Sequence, residues 1–185
     1  MHVAVISYAG AVGKSTLARR LLTPRLDAEL IAFAWADDTG ADRTFHVRNF
    51  DVMVQELSFA RLDGRSCVVD VAGMATDAFV SGLVNRHYFH RAFDFYVVPI
   101  GPGFGHQQHA MNAIAALHNL GVAPYAIRVM FNRLQPHHRP DAGDFQSIHE
   151  FHREMPVFSL SPSWAVKEGG LDREGLDAAF STLLQ

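Results

Sequence analysis

The stretch Tyr8-Ala9-Gly10-Ala11-Val12-Gly13-Lys14-Ser15-Thr16 packs two glycines, a lysine and two hydroxyls into one short loop. Residues of these types at this spacing suit one chemistry, the holding of phosphates. Gly10 and Gly13 let backbone N–H groups turn inward, and a helix opening at Lys14 aims its positive end at an anion. Lys14 would reach the β- and γ-phosphates, and the Ser15 hydroxyl would ligate Mg²⁺. The general pattern is G-x-x-x-x-G-K-[ST] between a strand and a helix. Here the Gly-Lys-Ser-Thr end is intact and Tyr8 stands in place of the first glycine. A glycine-rich turn that happens to spell those letters is the bland alternative, and its position directly after the apolar run Val3–Ser7 argues against it. The 16 basic residues include only two lysines, Lys14 and Lys167. A chain that otherwise uses arginine has placed a lysine where a compact ammonium fits and a guanidinium is too large.

Carboxylates follow two further apolar runs. Asp70 ends Ser66–Asp70, with Gly73 three residues on. An acid at the carboxyl end of a neighbouring parallel strand would face the Mg²⁺ held by Ser15, and the glycine would let the backbone approach the γ-phosphate. Asp37 and Asp38 follow the second run, and either could orient the attacking water or a metal-bound water. A solvated turn describes Asp37-Asp38-Thr39-Gly40 equally well. Asn132 ends a later run, where its amide could bond a purine edge. A guanine site would want an acid two or three residues later; Leu134 and Gln135 stand there, so adenine, and hence ATP, is preferred.

The elements that must position these residues alternate along the chain. Strands are expected at Val3–Ser7, Leu30–Trp35, Cys67–Val71, Phe93–Ile100, Tyr125–Phe131 and Val157–Leu160. Helices are expected at Lys14–Leu22, stopped by Pro24, at Asp51–Leu62, from a Thr76 cap to Val84, at His106–Leu120 before Gly121, and at Asp144–His152. Leu176, Ala179, Phe180 and Leu183 form one face of a last helix. Strands apolar throughout, with helices between them, indicate a mainly parallel sheet covered on both sides. The expected fold class is α/β, a three-layer sandwich with a mainly parallel sheet and the P-loop NTPase fold, formed by residues 1–185 as a single domain.

Composition sets the bounds. Apolar residues make up 49% and charged residues 19%, too apolar for disorder, and no apolar run approaches a membrane span. The polar side of the last helix carries Asp172, Arg173, Glu174 and Asp177, which does not suit a membrane surface. The N-terminus reads as no signal peptide, and the one cysteine, Cys67, fits a reducing, cytoplasmic setting. A net charge of −3 gives no general attraction to nucleic acid. The cluster Arg86-His87-Tyr88-Phe89-His90-Arg91 mixes bases with aromatics as single-strand binders do, but reads better as a helix end covering the core. Eleven histidines, among them His106/His109 and His149/His152, lack the partners that would complete a metal set.

At the loop the chain resembles the ParA/MinD group of P-loop ATPases, whose loop reads approximately K-G-G-V-G-K-S-T. Asp70-Val71-Ala72-Gly73 resembles that group's Asp-x-x-Gly switch, and Val97-Val98-Pro99 its later strand. Asn132-Arg133 matches its adenine-side pair, and Ser161, within Ser159-Leu160-Ser161-Pro162, falls in its last nucleotide loop. The loop wording and the exit Ala18–Leu26 look most like StbB-type plasmid stability proteins. The resemblance implies a Mg·ATP switch with slow ATP hydrolysis, a nucleotide-dependent homodimer, and a role in plasmid or DNA maintenance through a DNA-binding partner. It also marks a departure: the group's signature lysine, which crosses to the partner's phosphates, is Ala9 here. Two other functions fit the same loop. A small-molecule phosphotransferase would need an arginine-bearing lid, for which the segment around Arg133 and Arg139 is short. A non-enzymatic module would keep nucleotide only for structure and work by binding a partner.

Overall fold

Val3, Ala4 and Val5 are wholly excluded from solvent, as are Val68, Val69, Val97 and Val98, so these strands are covered on both faces. The computed structural model describes residues 1–38, 40–86, 88–133 and 143–160, with the expected Ser161 and last helix lying outside them. Its elements begin with β1 (His2–Val5), α1 (Lys14–Thr16), a π-helical turn (Leu17–Leu22) and α2 (Thr23–Leu26). β2 (Ala28–Ala34), β3 (Arg43–His46), α3 (Phe50–Leu62), β4 (Ser66–Val71) and α4 (Thr76–Val84) follow. β5 (Phe95–Ile100), α5 (Phe104–Asn119), β6 (Ile127–Phe131), α6 (Gln146–Glu154) and β7 (Ser159–Leu160) complete the series.

All described strand pairs are parallel, in the order β3-β2-β4-β1-β5-β6-β7. This is the expected α/β three-layer arrangement. On one face, α3 to α6 pack Phe50, Met53, Leu57, Phe79, Ile114 and Ile148 against Ile6, Phe33, Val69 and Val98. On the other, Leu17, Ala18, Leu21 and Leu22 of the π-helical turn cover Val3, Val5, Val68 and Val97. Period-2 alternation within apolar strands thus feeds two cores from one sheet.

Three local expectations are corrected. Pro24 does not stop the first helix, which runs on to Leu26 and ends at Asp27 in the left-handed region (φ 46°). The wider π-helical turn shifts Thr23 N–H onto the Ala18 carbonyl. The Arg20 carbonyl, which an α-helix would present to the proline ring, instead accepts from Arg25. Thr76 is not a cap: Ala75 holds that place, and the buried Thr76 hydroxyl donates to the Ser7 carbonyl at 3.1 Å. A strand not expected, β3, lies at the sheet edge beside β2, with Arg43 donating to both Glu29 and Glu56.

Gly121 does end α5 in the left-handed region, with φ 81°. Cys67 is a buried core residue. In the aromatic–basic cluster, Phe89 packs on Phe50 and Phe93, Arg86 pairs with Asp51, and Arg91 lies over Tyr88. The histidines serve packing as well: His149 stacks on Phe131 and His152 meets Phe158 edge-on. Among the described residues no three potential ligands group about a point, and no helix is long and apolar enough to cross a membrane.

Candidate phosphate-binding site

The loop 8–16 begins where β1 ends, in the middle of the sheet, with β4 and β5 on either side. Its shape is fastened from below. Ala9 N–H donates to the Ser7 hydroxyl at 3.1 Å. Ala11 (φ 54°) and Gly13 (φ 86°) both turn into the left-handed region. At Gly13 a side chain is excluded twice over, since a Cβ would sit 2.2 Å from the Asn132 amide nitrogen. Ser15, Thr16, Gly10 and Ala11 are exposed, so the upper side of the loop is open to a ligand.

Two charges lie beneath it. Lys14 is 7% exposed and Asp70 5%. The Lys14 ammonium donates to the Ala9 carbonyl at 2.8 Å, and a Cβ at Gly73 would come within 3.4 Å of it. Burial lowers the pKa of Lys14, with Asp70 opposing. Burial raises that of Asp70, against the pull of a Ser15 hydrogen bond, Lys14 and Arg19, while Asp38 adds to the rise. In both groups desolvation outweighs mutual attraction. Asp70 Oδ1 is buried without a hydrogen-bond partner.

Asp70 stands on β4 directly opposite Val5 of β1 and Ala32 of β2. This register brings together the residues the sequence singled out at the three strand ends. Asp37 and Asp38 close the groove formed by Ala34, Trp35, Ala36, Ala72, Gly73 and Met74. The two acids differ. Asp37 is exposed. Asp38 accepts from Arg19 at 2.5 Å and from Gly40 N–H at 3.0 Å. Those contacts hold its carboxyl below the usual range, the Gly40 bond foremost, despite partial burial. Of the two, Asp37 is the carboxylate left facing solvent.

Asn132 is engaged with the loop itself. It is buried, its amide donates to the Val12 carbonyl at 2.7 Å, and its oxygen accepts Arg133 N–H at 2.9 Å. Arg133, at φ 60°, donates to the Ala11 carbonyl at 2.7 Å. The geometry on display is a brace under the phosphate loop. Three residues of the site escaped sequence reasoning. Arg19 reaches Asp38, Thr76 reaches Ser7, and Tyr8 packs against the core. Nothing in local spacing announces such pairs, which exist only once strands and helices are assembled.

Neither a family model nor a curated protein matches the sequence. Solved structures do match in fold. The chain has the α/β P-loop fold of the ParA/MinD-type ATPases. It is similar to a plasmid partition protein from Borrelia burgdorferi, with TM-score 0.63, 12% identity, and 99% of this chain and 97% of that one covered. The MinC:MinD cell division protein complex of Aquifex aeolicus gives TM-score 0.62, 13% identity and coverages of 98% and 86%. A Borrelia burgdorferi B31 partition protein bound to AMPPNP gives TM-score 0.59, 12% identity and coverages of 100% and 96%.

Proposed function

We propose that the chain is a Mg·ATP-binding switch of the ParA/MinD type that hydrolyses ATP slowly. The observation that carries this reading is the buried Lys14–Asp70 pair beneath an open glycine loop. Both groups are driven toward neutrality by burial, and one Asp70 oxygen has no partner. A triphosphate above Lys14 and a cation beside Asp70 would supply the missing charges. Backbone N–H groups of Gly10, Ala11, Val12, Gly13, Lys14, Ser15 and Thr16 would line the phosphates, with Ala9 seating the loop beneath them.

The donor set fits Mg²⁺: the Ser15 hydroxyl and the Asp70 carboxylate are both hard oxygens, with a spare Asp70 oxygen. Ser15 and Asp70 would hold the ion, which when bound neutralises phosphate charge. Lys14 would leave the Ala9 carbonyl to bind the β- and γ-phosphates. Asp37, exposed at the rim, is the better placed of the two acids to accept a proton from, and orient, an attacking water. Asn132 and Arg133 would act from beneath the loop, and Ser161 near the base as the family resemblance implies.

The fold relatives named for plasmid partition support a role in plasmid or DNA maintenance. The DNA-binding partner, the nucleotide-dependent homodimer and the single cytoplasmic nucleotide-binding domain of residues 1–185 rest on the sequence reading alone. The narrower resemblance to StbB-type proteins is what suggests plasmid stability as the setting. Phosphate release from Mg·ATP, with Lys14→Ala as the blank, tests the enzymatic part. Turnover above the blank supports it. Rates equal to the blank, together with partner affinity indifferent to ATP or ADP, favour a second reading. That reading is a non-enzymatic module, and the observation behind it is Ala9, a buried alanine in place of a crossing lysine.

A further inference from the structure

Directly after α1 the chain takes a π-helical turn, Leu17–Leu22, whose additional residue per turn re-aims the side chains that follow the loop. Arg19 lies in this turn, and its guanidinium leaves the helix for the loop after β2. There it donates to the Asp38 carboxylate, each side chain about one-third exposed. The same guanidinium lies against the backbone of Gly40. A Cβ at that glycine would fall 1.9 Å from Nη1 and 2.5 Å from Cζ. Only glycine leaves room for it. The loop is closed on itself around this contact. Asp38 also accepts Gly40 N–H, its own N–H donates to the Thr44 hydroxyl at 3.1 Å, and Ala41 N–H reaches the Asp38 carbonyl at 3.1 Å.

Three residues before Asp38, Trp35 (51% exposed) donates from its indole to the Met74 carbonyl at 3.0 Å. Met74 follows Gly73, which abuts Lys14. Arg19 therefore joins the helix carrying Lys14 and Ser15 to a loop that bears Asp37 and leans, through Trp35, on the segment after Asp70.

We infer that Arg19 is a positioning residue: seated on Gly40 and paired with Asp38, it makes residues 36–38 and 40–42 move with the phosphate-loop helix. Displacement of that helix on nucleotide binding is delivered to Asp37 and to the exposed Trp35–Met74 surface. The inference rests on the nucleotide-binding reading and adds to it the route by which occupancy reaches the surface.

The test uses the full chain carrying Trp164→Phe, so that Trp35 is the sole tryptophan. Trp35 emission is followed as Mg·ATP or Mg·ADP is added, while occupancy is read separately by polarisation of a fluorescent ATP analogue. The parent chain is expected to shift its Trp35 emission on saturation. Arg19→Met keeps the stem and removes the fork; it is expected to bind the analogue within about threefold of the parent and to lose most of the Trp35 response. Gly40→Ala leaves Arg19 charged but unseats it, and should lose the response in the same way. A full response in either variant at saturation overturns the inference, as does binding by the parent with no Trp35 change. No binding by the parent overturns the nucleotide reading and this inference together, whereas binding with an Arg19-independent response overturns only this one.

Discussion

Replacing Asn132 by alanine separates two roles for that side chain. The amide makes two hydrogen bonds, 2.7 Å to the Val12 carbonyl and 2.9 Å from Arg133 N–H, in a buried setting. Truncation strands both partners. At about 1 kcal/mol net for each bond, and more where a buried group is left unpaired, the loss comes to roughly 2–4 kcal/mol. A urea slope of about 2 kcal/mol/M converts this to a midpoint lowered by roughly 1–2 M. The assay is urea unfolding without nucleotide, followed by competition of ATP and GTP for the folded variant. A brace under the loop predicts the lowered midpoint and equal weakening of both nucleotides. Unchanged stability with altered preference between ATP and GTP would refute the brace and support a purine contact.

Gly13→Ala meets two penalties at one atom. The left-handed backbone costs about 1–2 kcal/mol, and the new Cβ displaces the Asn132 amide 2.2 Å away. A thermal midpoint lowered by roughly 5–10 °C is expected, and an unchanged midpoint would contradict the geometry. Asp70 gives a pH signature. Its folded pKa is raised by burial, so its contribution to stability is full below the unfolded carboxyl value and is lost as pH rises through the folded value. Relative to Asp70→Asn, the wild type should therefore lose stability with rising pH, measured as urea midpoints from pH 4 to pH 8. Parallel profiles would show that burial does not penalise this carboxylate.

Much of the fold was legible because a parallel sheet covered on both faces requires continuous apolar strands, and Val3–Ser7, Cys67–Val71 and Phe93–Ile100 are such runs. β3 was not legible: Arg43-Thr44-Phe45-His46 is short and has one apolar residue, as an edge strand can. The helix through Pro24 escaped because the π-helical turn that accommodates it has no sequence signature. At the site, Lys14, Ser15 and Asp70 could be placed by chain-local pattern alone, since strand ends in a parallel sheet share one side. Asn132 shows the limit of that logic. Its position at a strand end was read correctly, but its partner is the Val12 carbonyl, 120 residues earlier, and only the assembled sheet brings the two together. The Arg19–Asp38 contact escaped for the same reason.

The central claim is that Lys14 beneath the loop binds the phosphates of Mg·ATP. Its most direct test is titration of a fluorescent ATP analogue with Mg²⁺ into wild type and Lys14→Ala, competed by ATP, ADP and GTP. Saturable binding to wild type, lost in Lys14→Ala and competed better by ATP than by GTP, is the predicted result. Equal binding by the two proteins, or none by either, would contradict it.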